Sequence, residues 1–164
     1  LLSSAYLDRH SSFLDVFSNM KARGLKHLVL LFSRSNESSA TYRSALSAYH
    51  DVYGQQLAPY KVFGNIHNFN DGLNLSYQLI KDESIDSILA TSDEVAAGLI
   101  KGYEESGKIY PYMIGQEHLL VGQLLKLPTI DHKSYSLGKL AFKQALSETI
   151  SQEVLVSEFL SQDS

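Results

Sequence analysis

Four short apolar runs, each leading into a stretch with helical spacing, set what this chain can fold into. Leu28 to Phe32 is apolar at every position, which points to a strand covered on both faces and so to a parallel sheet. Pro59 to Asn65 is a weaker strand candidate, Ser87 to Ala90 a third, and Tyr112 to Ile114 a short fourth. Leu127-Pro-Thr-Ile130 follows a loop, and Val154-Leu-Val156 reads as a last edge strand. Strands alternating with helices of this length predict a three-layer α/β/α domain with a mainly parallel sheet.

The helices are set by spacing and by their ends. From Arg9 to Gly24, Phe13, Val16, Phe17 and Met20 fall on one helical face. From Ala40 to Tyr53, Tyr42, Ala45, Leu46, Tyr49 and Tyr53 do the same, and Gly54 ends the run. Asn68 to Lys81 is a third helix, with Leu73, Tyr77 and Ile80 expected inward. A fourth begins at Ser92 or Asp93, whose side-chain oxygens can cap it, and stops at Gly107. It is expected to bury Ala96, Leu99, Ile100 and Tyr103. Leu137, Leu140, Ala141 and Ile150 mark a fifth.

Composition removes several classes of function. With 44% hydrophobic and 20% charged residues, a buried core is feasible and wholesale disorder is not expected. No apolar run approaches the roughly 20 residues that span a bilayer, so no membrane contact is expected. The opening Leu1-Leu-Ser-Ser-Ala does not read as a signal peptide and starts without Met, so a cytoplasmic fragment or processed product is expected. With no Cys, disulfides, thiolate–zinc sites and a thiol nucleophile are excluded. A net charge of -4 without a dense Lys/Arg cluster argues against direct contact with duplex DNA.

Catalytic and cofactor motifs are also missing. There is no G-x-G-x-x-G or Walker-type loop, no Gly-x-Ser-x-Gly, and no H-E-x-x-H pair among six scattered His residues. The first strand ends in Phe32-Ser-Arg, without the acidic pair that a phosphoryl-accepting receiver needs. Neither an enzyme, a metal site nor a resident cofactor is expected.

What remains is a set of polar residues after successive strands, where open α/β sheets bind ligands. Arg43 follows the first strand and carries a five-donor fork suited to hydroxyls, carboxylate or phosphate; the plainer reading is a surface Arg. Ser92 and Asp93 follow the third strand, and one of them is needed as a helix cap. Gly115-Gln116-Glu117-His118 follows the fourth; Gln116 can donate and accept, Glu117 can accept from sugar hydroxyls, and a polar turn explains both equally well. His67 and Phe69 follow the second strand and could lie under a ring, although loop packing is the commoner role for an aromatic there.

The order of these segments resembles the carboxyl-terminal half of the LacI/GalR family of bacterial transcription regulators. Asp8 to Leu31 is similar to the family's Asp-led helix, turn and first strand. Ser38-Ser-Ala-Thr-Tyr-Arg43 is similar to the loop-helix that presents an effector-binding Arg. Ala90-Thr-Ser-Asp-Glu-Val-Ala-Ala-Gly98 is similar to the family's Ala-Asn-Asp helix. Ile114-Gly-Gln-Glu-His118, Leu127-Pro-Thr-Ile130 and Leu137-Gly138 are similar to its closing motifs. The resemblance implies one lobe of a periplasmic-binding-protein-like clamshell. It places Arg43, Ser92 and Glu117 at effector contacts, His67 or Phe69 at the aromatic one, and Asp93 mainly at the helix start.

Three departures bear on the ligand. Ser92 stands for the usual Asn, Gln116 for an aromatic, and Glu117 for Asp. The resemblance further implies that residues 1–127 and 151–164 form the lobe, while 128–150 pack on an amino-terminal lobe absent from this chain. The Leu137, Leu140 and Ala141 face is therefore expected to fold back or to join a second copy in a homodimer. The implied function is sensing of a sugar-type effector, with DNA contacted only through a missing amino-terminal segment. A sugar transporter's solute-binding protein, a flavodoxin-like domain, and a regulator that answers to a protein partner are the alternatives.

Overall fold

The computed structural model describes residues 2–116, 120–132 and 159–160. Helix α1 (Leu2–Ala22) leads into β1 (Leu28–Leu31), then α2 (Ala40–Tyr53), β2 (Lys61–Phe63) and α3 (Phe69–Leu79). Next come β3 (Ser87–Leu89), α4 (Asp93–Glu105), β4 (Tyr112–Gln116), α5 (Leu120–Leu124), β5 (Thr129–Ile130) and β6 (Phe159–Leu160). The strand order is β2-β1-β3-β4-β5-β6. The first four pairings are parallel and only β5–β6 is antiparallel.

Alternation along the strands builds two separate cores. Leu28, Leu30, Leu89 and Ile114 point to one face and pack with Phe13, Val16, Phe17 and Met20 of α1 and Ala45, Ala48 and Tyr49 of α2. Val29, Leu31, Ile88 and Met113 point to the other, against Leu75 and Leu79 of α3 and Val95, Ala96, Leu99 and Tyr103 of α4. All four residues of β1 are fully buried, as its unbroken apolar run requires.

Helix α2 keeps the expected limits, with Ser39 accepting from the Tyr42 amide at one end and Gly54 at φ 111° at the other. Helix α3 differs in the face it turns inward. It buries Gly72, Leu75, Ser76 and Leu79, and leaves Tyr77 46% exposed. The cause is close packing against α4. A β-carbon at Gly72 would run into the Val95 carbonyl, and one at Gly98 into the Phe69 carbonyl and within 2.8 Å of the Leu73 amide nitrogen. Small residues fix this contact, and an apolar count gives them no weight. The short helix α5 falls where only a loop was expected. The expected fifth helix and the Val154 strand lie outside the described residues.

Candidate functional site

Because β1, β3, β4 and β5 are parallel, their carboxyl ends meet at one edge. The order 2-1-3-4-5 reverses direction between β1 and β3, and such a switch point opens a crevice where ligands bind. A cleft of about 140 Å³ lies there. Phe32, Ser33 and Arg34 after β1, Thr91 after β3, Gln116 at the end of β4 and His132 after β5 line it. Arg9 of α1, with Ser39 and Thr41 at the start of α2, completes the wall.

A chain of hydrogen bonds holds the floor. Gln116 is 4% exposed and its Nε2 donates to the Ala90 carbonyl at 2.7 Å. Its Oε1 must then accept, and His132 Nε2 lies 2.9 Å away. That assigns the ring proton to Nε2 and leaves Nδ1 as an acceptor 2.7 Å from the Ser12 hydroxyl, whose single proton is shared between it and the Arg9 carbonyl 2.9 Å away. Burial pushes His132 down to about 4, the nearby Arg9 charge adds to this, and Asp131 opposes it. The imidazole is therefore neutral at pH 7. Arg9 Nη1 donates to Thr41 Oγ1 at 2.8 Å. Thr91 Oγ1 is buried at the cleft with no hydrogen-bond partner among the described residues.

The neutral His132 makes stability depend on pH. Its folded value near 4 lies below the ordinary 6.5, so between these values the unfolded chain binds more protons. The stabilisation is full above about pH 6.5 and is lost as pH falls toward 4, to a total on the order of 3 kcal/mol. Urea unfolding at pH 7.5, 6 and 5 is expected to show this decline. His132→Asn, although weaker at pH 7.5, should lose less across the same interval.

The residues expected at the site take different places. Gln116 lines the cleft. Ser92 is half-buried and caps α4, its Oγ accepting from the Val95 amide at 3.2 Å. Asp93 is fully buried and accepts from Thr129 Oγ1 at 2.8 Å. Its carboxylate fits because Gly115 and Gly122 carry no side chain; a β-carbon at Gly122 would stand 2.6 Å from its Cγ. Arg43 is exposed and outside the cleft lining, with Nη1 donating to the Glu37 carbonyl. It thereby braces the loop whose Ser33 and Arg34 form one wall. His67 is exposed and Phe69 half-buried, and neither lines the cleft; their amides donate to Asp71 and Glu94. The edge position of β2 carries both away from the β1/β3 crevice. Glu117 lies outside the described residues.

Arg9 and His132 were not anticipated, and both left a signal. Arg9 stands one turn before Phe13 on the apolar stripe of α1, so a cation continues a buried line. His132 sits two residues past β5, in the position that the strand-end rule favours for the other strands.

A larger hollow of about 520 Å³ lies by Lys21, Leu25, Tyr49, Tyr53 and Leu57. Its polar groups are largely engaged already: Tyr49 and Tyr53 donate to the Ala58 and Leu25 carbonyls and Lys21 donates to the Val52 carbonyl. The smaller cleft has the chemistry of a polar-ligand site. Among the described residues there is no group of three or more metal-ligating side chains, and no helix long and apolar enough to cross a membrane.

The same fold is found in a LacI family transcriptional regulator from Enterococcus faecium with bound ribose, at a TM-score of 0.66 and 21% identity. The match covers 89% of this chain and 57% of that one. The chain has the fold of LacI-family regulators. The lac repressor dimer bound to operator and the anti-inducer ONPF shares it, with a TM-score of 0.62, 18% identity, and coverage of 85% and 51%. In sequence, the chain is similar to catabolite control protein B of Bacillus subtilis (strain 168), 26% identical over 145 residues. That alignment takes in 88% of this chain, which spans about half (46%) of its relative's length. No family model matches the sequence.

Proposed function

We propose that this chain is the effector-sensing lobe of a LacI-type transcription regulator, with the β1/β3 cleft as half of a sugar site. The observation that carries the reading is the polar lining of that cleft: Gln116 and His132 held in one orientation, with the Thr91 hydroxyl in the same lining unpartnered among the described residues. At about 140 Å³ the cleft is small. Complete ligand pockets run roughly 300–1,000 Å³, so a second lobe closing over it fits the shortfall. The ribose held by the Enterococcus faecium regulator supports a hydroxylated ligand. The operator-bound lac repressor dimer supports an output through DNA in a paired molecule, by way of a segment outside this chain.

The mechanism needs no reaction. A ligand that binds the closed form better than the open one shifts the balance between them, and only by that difference in affinity. In the full-length protein the shift changes how two DNA-binding segments sit on their operator. Arg43 acts here through the loop it braces. Arg43→Ala should loosen the Ser33–Ser39 wall and raise the effector concentration needed for half-response about tenfold, roughly the value of one charge-assisted hydrogen bond. The readout is operator binding against ligand concentration. A normal response in that variant would remove Arg43 from the site.

A further inference from the structure

The charge of the cleft is more specific than a neutral sugar requires. Two of its walls carry guanidinium groups, Arg9 from α1 and Arg34 from the loop after β1. No carboxylate lines it among the described residues. Neither Arg forms an ion pair among those residues. Arg9 gives one donor to Thr41 and keeps four, and Arg34 is exposed at the mouth.

We infer that the cleft selects an anionic monosaccharide, one carrying a phosphate or carboxylate held by Arg9 and Arg34, while Thr91 and Gln116 meet its hydroxyls. This rests on the sugar-site reading above and narrows its ligand class. The geometry follows the chemistry of each group. A guanidinium presents paired N–H donors in a plane, which matches two oxygens of one phosphate or carboxylate. Neutral hydroxyls are each both donor and acceptor, and are matched by groups that also do both, such as Gln116 and Thr91. Lining one side with donor-only cations and the floor with mixed groups fits a ligand with an anionic end and a hydroxylated body. The floor adds no competing positive charge, because His132 is held neutral between Gln116 and Ser12.

Calorimetry on the full-length protein tests this with ribose, ribose 5-phosphate, ribonate and inorganic phosphate. Ribose 5-phosphate should bind at least about tenfold more tightly than ribose, the gain expected from a bidentate charged pair. Ribonate tells whether a carboxylate serves as well: affinity above ribose assigns the site to anions in general, and affinity no better than ribose assigns it to phosphate. Arg9→Gln and Arg34→Gln should each shrink the preference over ribose; Arg34, being exposed, can be replaced without a folding cost. Equal or tighter binding of ribose, or a preference untouched by both variants, would overturn the charge selection and leave a neutral-sugar site standing. Inorganic phosphate binding as tightly as ribose 5-phosphate would show that the sugar body contributes nothing, which overturns the sugar-site reading itself. No saturable heat with any of the four would overturn both.

Discussion

Gly98→Ala should lower the free energy of unfolding by about 3 kcal/mol, the upper end of the cost of overpacking a filled interior. The added methyl has nowhere to go. It would meet the Phe69 carbonyl and the Leu73 amide nitrogen, which are backbone atoms at the start of α3. Side chains can rotate away from an intruder, whereas these groups move only if the helix moves. Separating α3 from α4 would in turn open contacts among Leu75, Val95 and Leu99. A domain holds only about 5–15 kcal/mol in total, so this loss is a large share. Urea unfolding of the two proteins measures it. Lys101→Ala, on the exposed side of α4, removes the solvent-exposed Lys101–Glu105 pair and should leave the urea midpoint close to the parent's. Equal stability of Gly98→Ala and the parent would mean that the helices are not in this register.

Asp93→Ala is expected to be about as damaging, near 3 kcal/mol, for a different reason. The Thr129 hydroxyl loses a buried charge-assisted or neutral acceptor, and deleting one side of a buried hydrogen bond costs about 1–3 kcal/mol. The space between Gly115 and Gly122, shaped around a carboxylate, becomes a void that adds its own penalty. Asp93→Asn keeps the volume and one acceptor oxygen, so it should recover more than half of the loss. If Asp93→Ala leaves stability unchanged but abolishes effector binding, Asp93 belongs to the ligand site and not to the scaffold.

Much of the fold could be read from the order of residues because its strongest signals are local. A strand apolar at every position has to be covered twice, and β1 is. Caps and stops are equally local, which is why α2 begins after Ser39 and ends at Gly54. The inward face of α3 was harder to read. Gly72 and Ser76 take part because α4 comes close, and that depends on residues more than 20 positions away. The site was legible in its location more than in its members. Strand ends converge by topology, so Gln116 was reachable from sequence. Arg43 and Ser92 have the right type and place in the chain, yet their polar atoms bond the Glu37 carbonyl and the Val95 amide. Arg9 comes from a helix that precedes every strand, and no strand-end rule selects it.

The cleft draws its lining from Arg9, Phe32, Thr91, Gln116 and His132, segments that are brought together only when the central strands are paired. Occupancy therefore cannot tighten one patch and leave the rest alone. A ligand that requires all of these segments at once penalises any opening that displaces one of them. Under saturating ligand, amide hydrogen exchange should slow together in β1, β3 and β4 and in the helices packed on them, while edge strand β2, which contributes nothing to the lining, changes least.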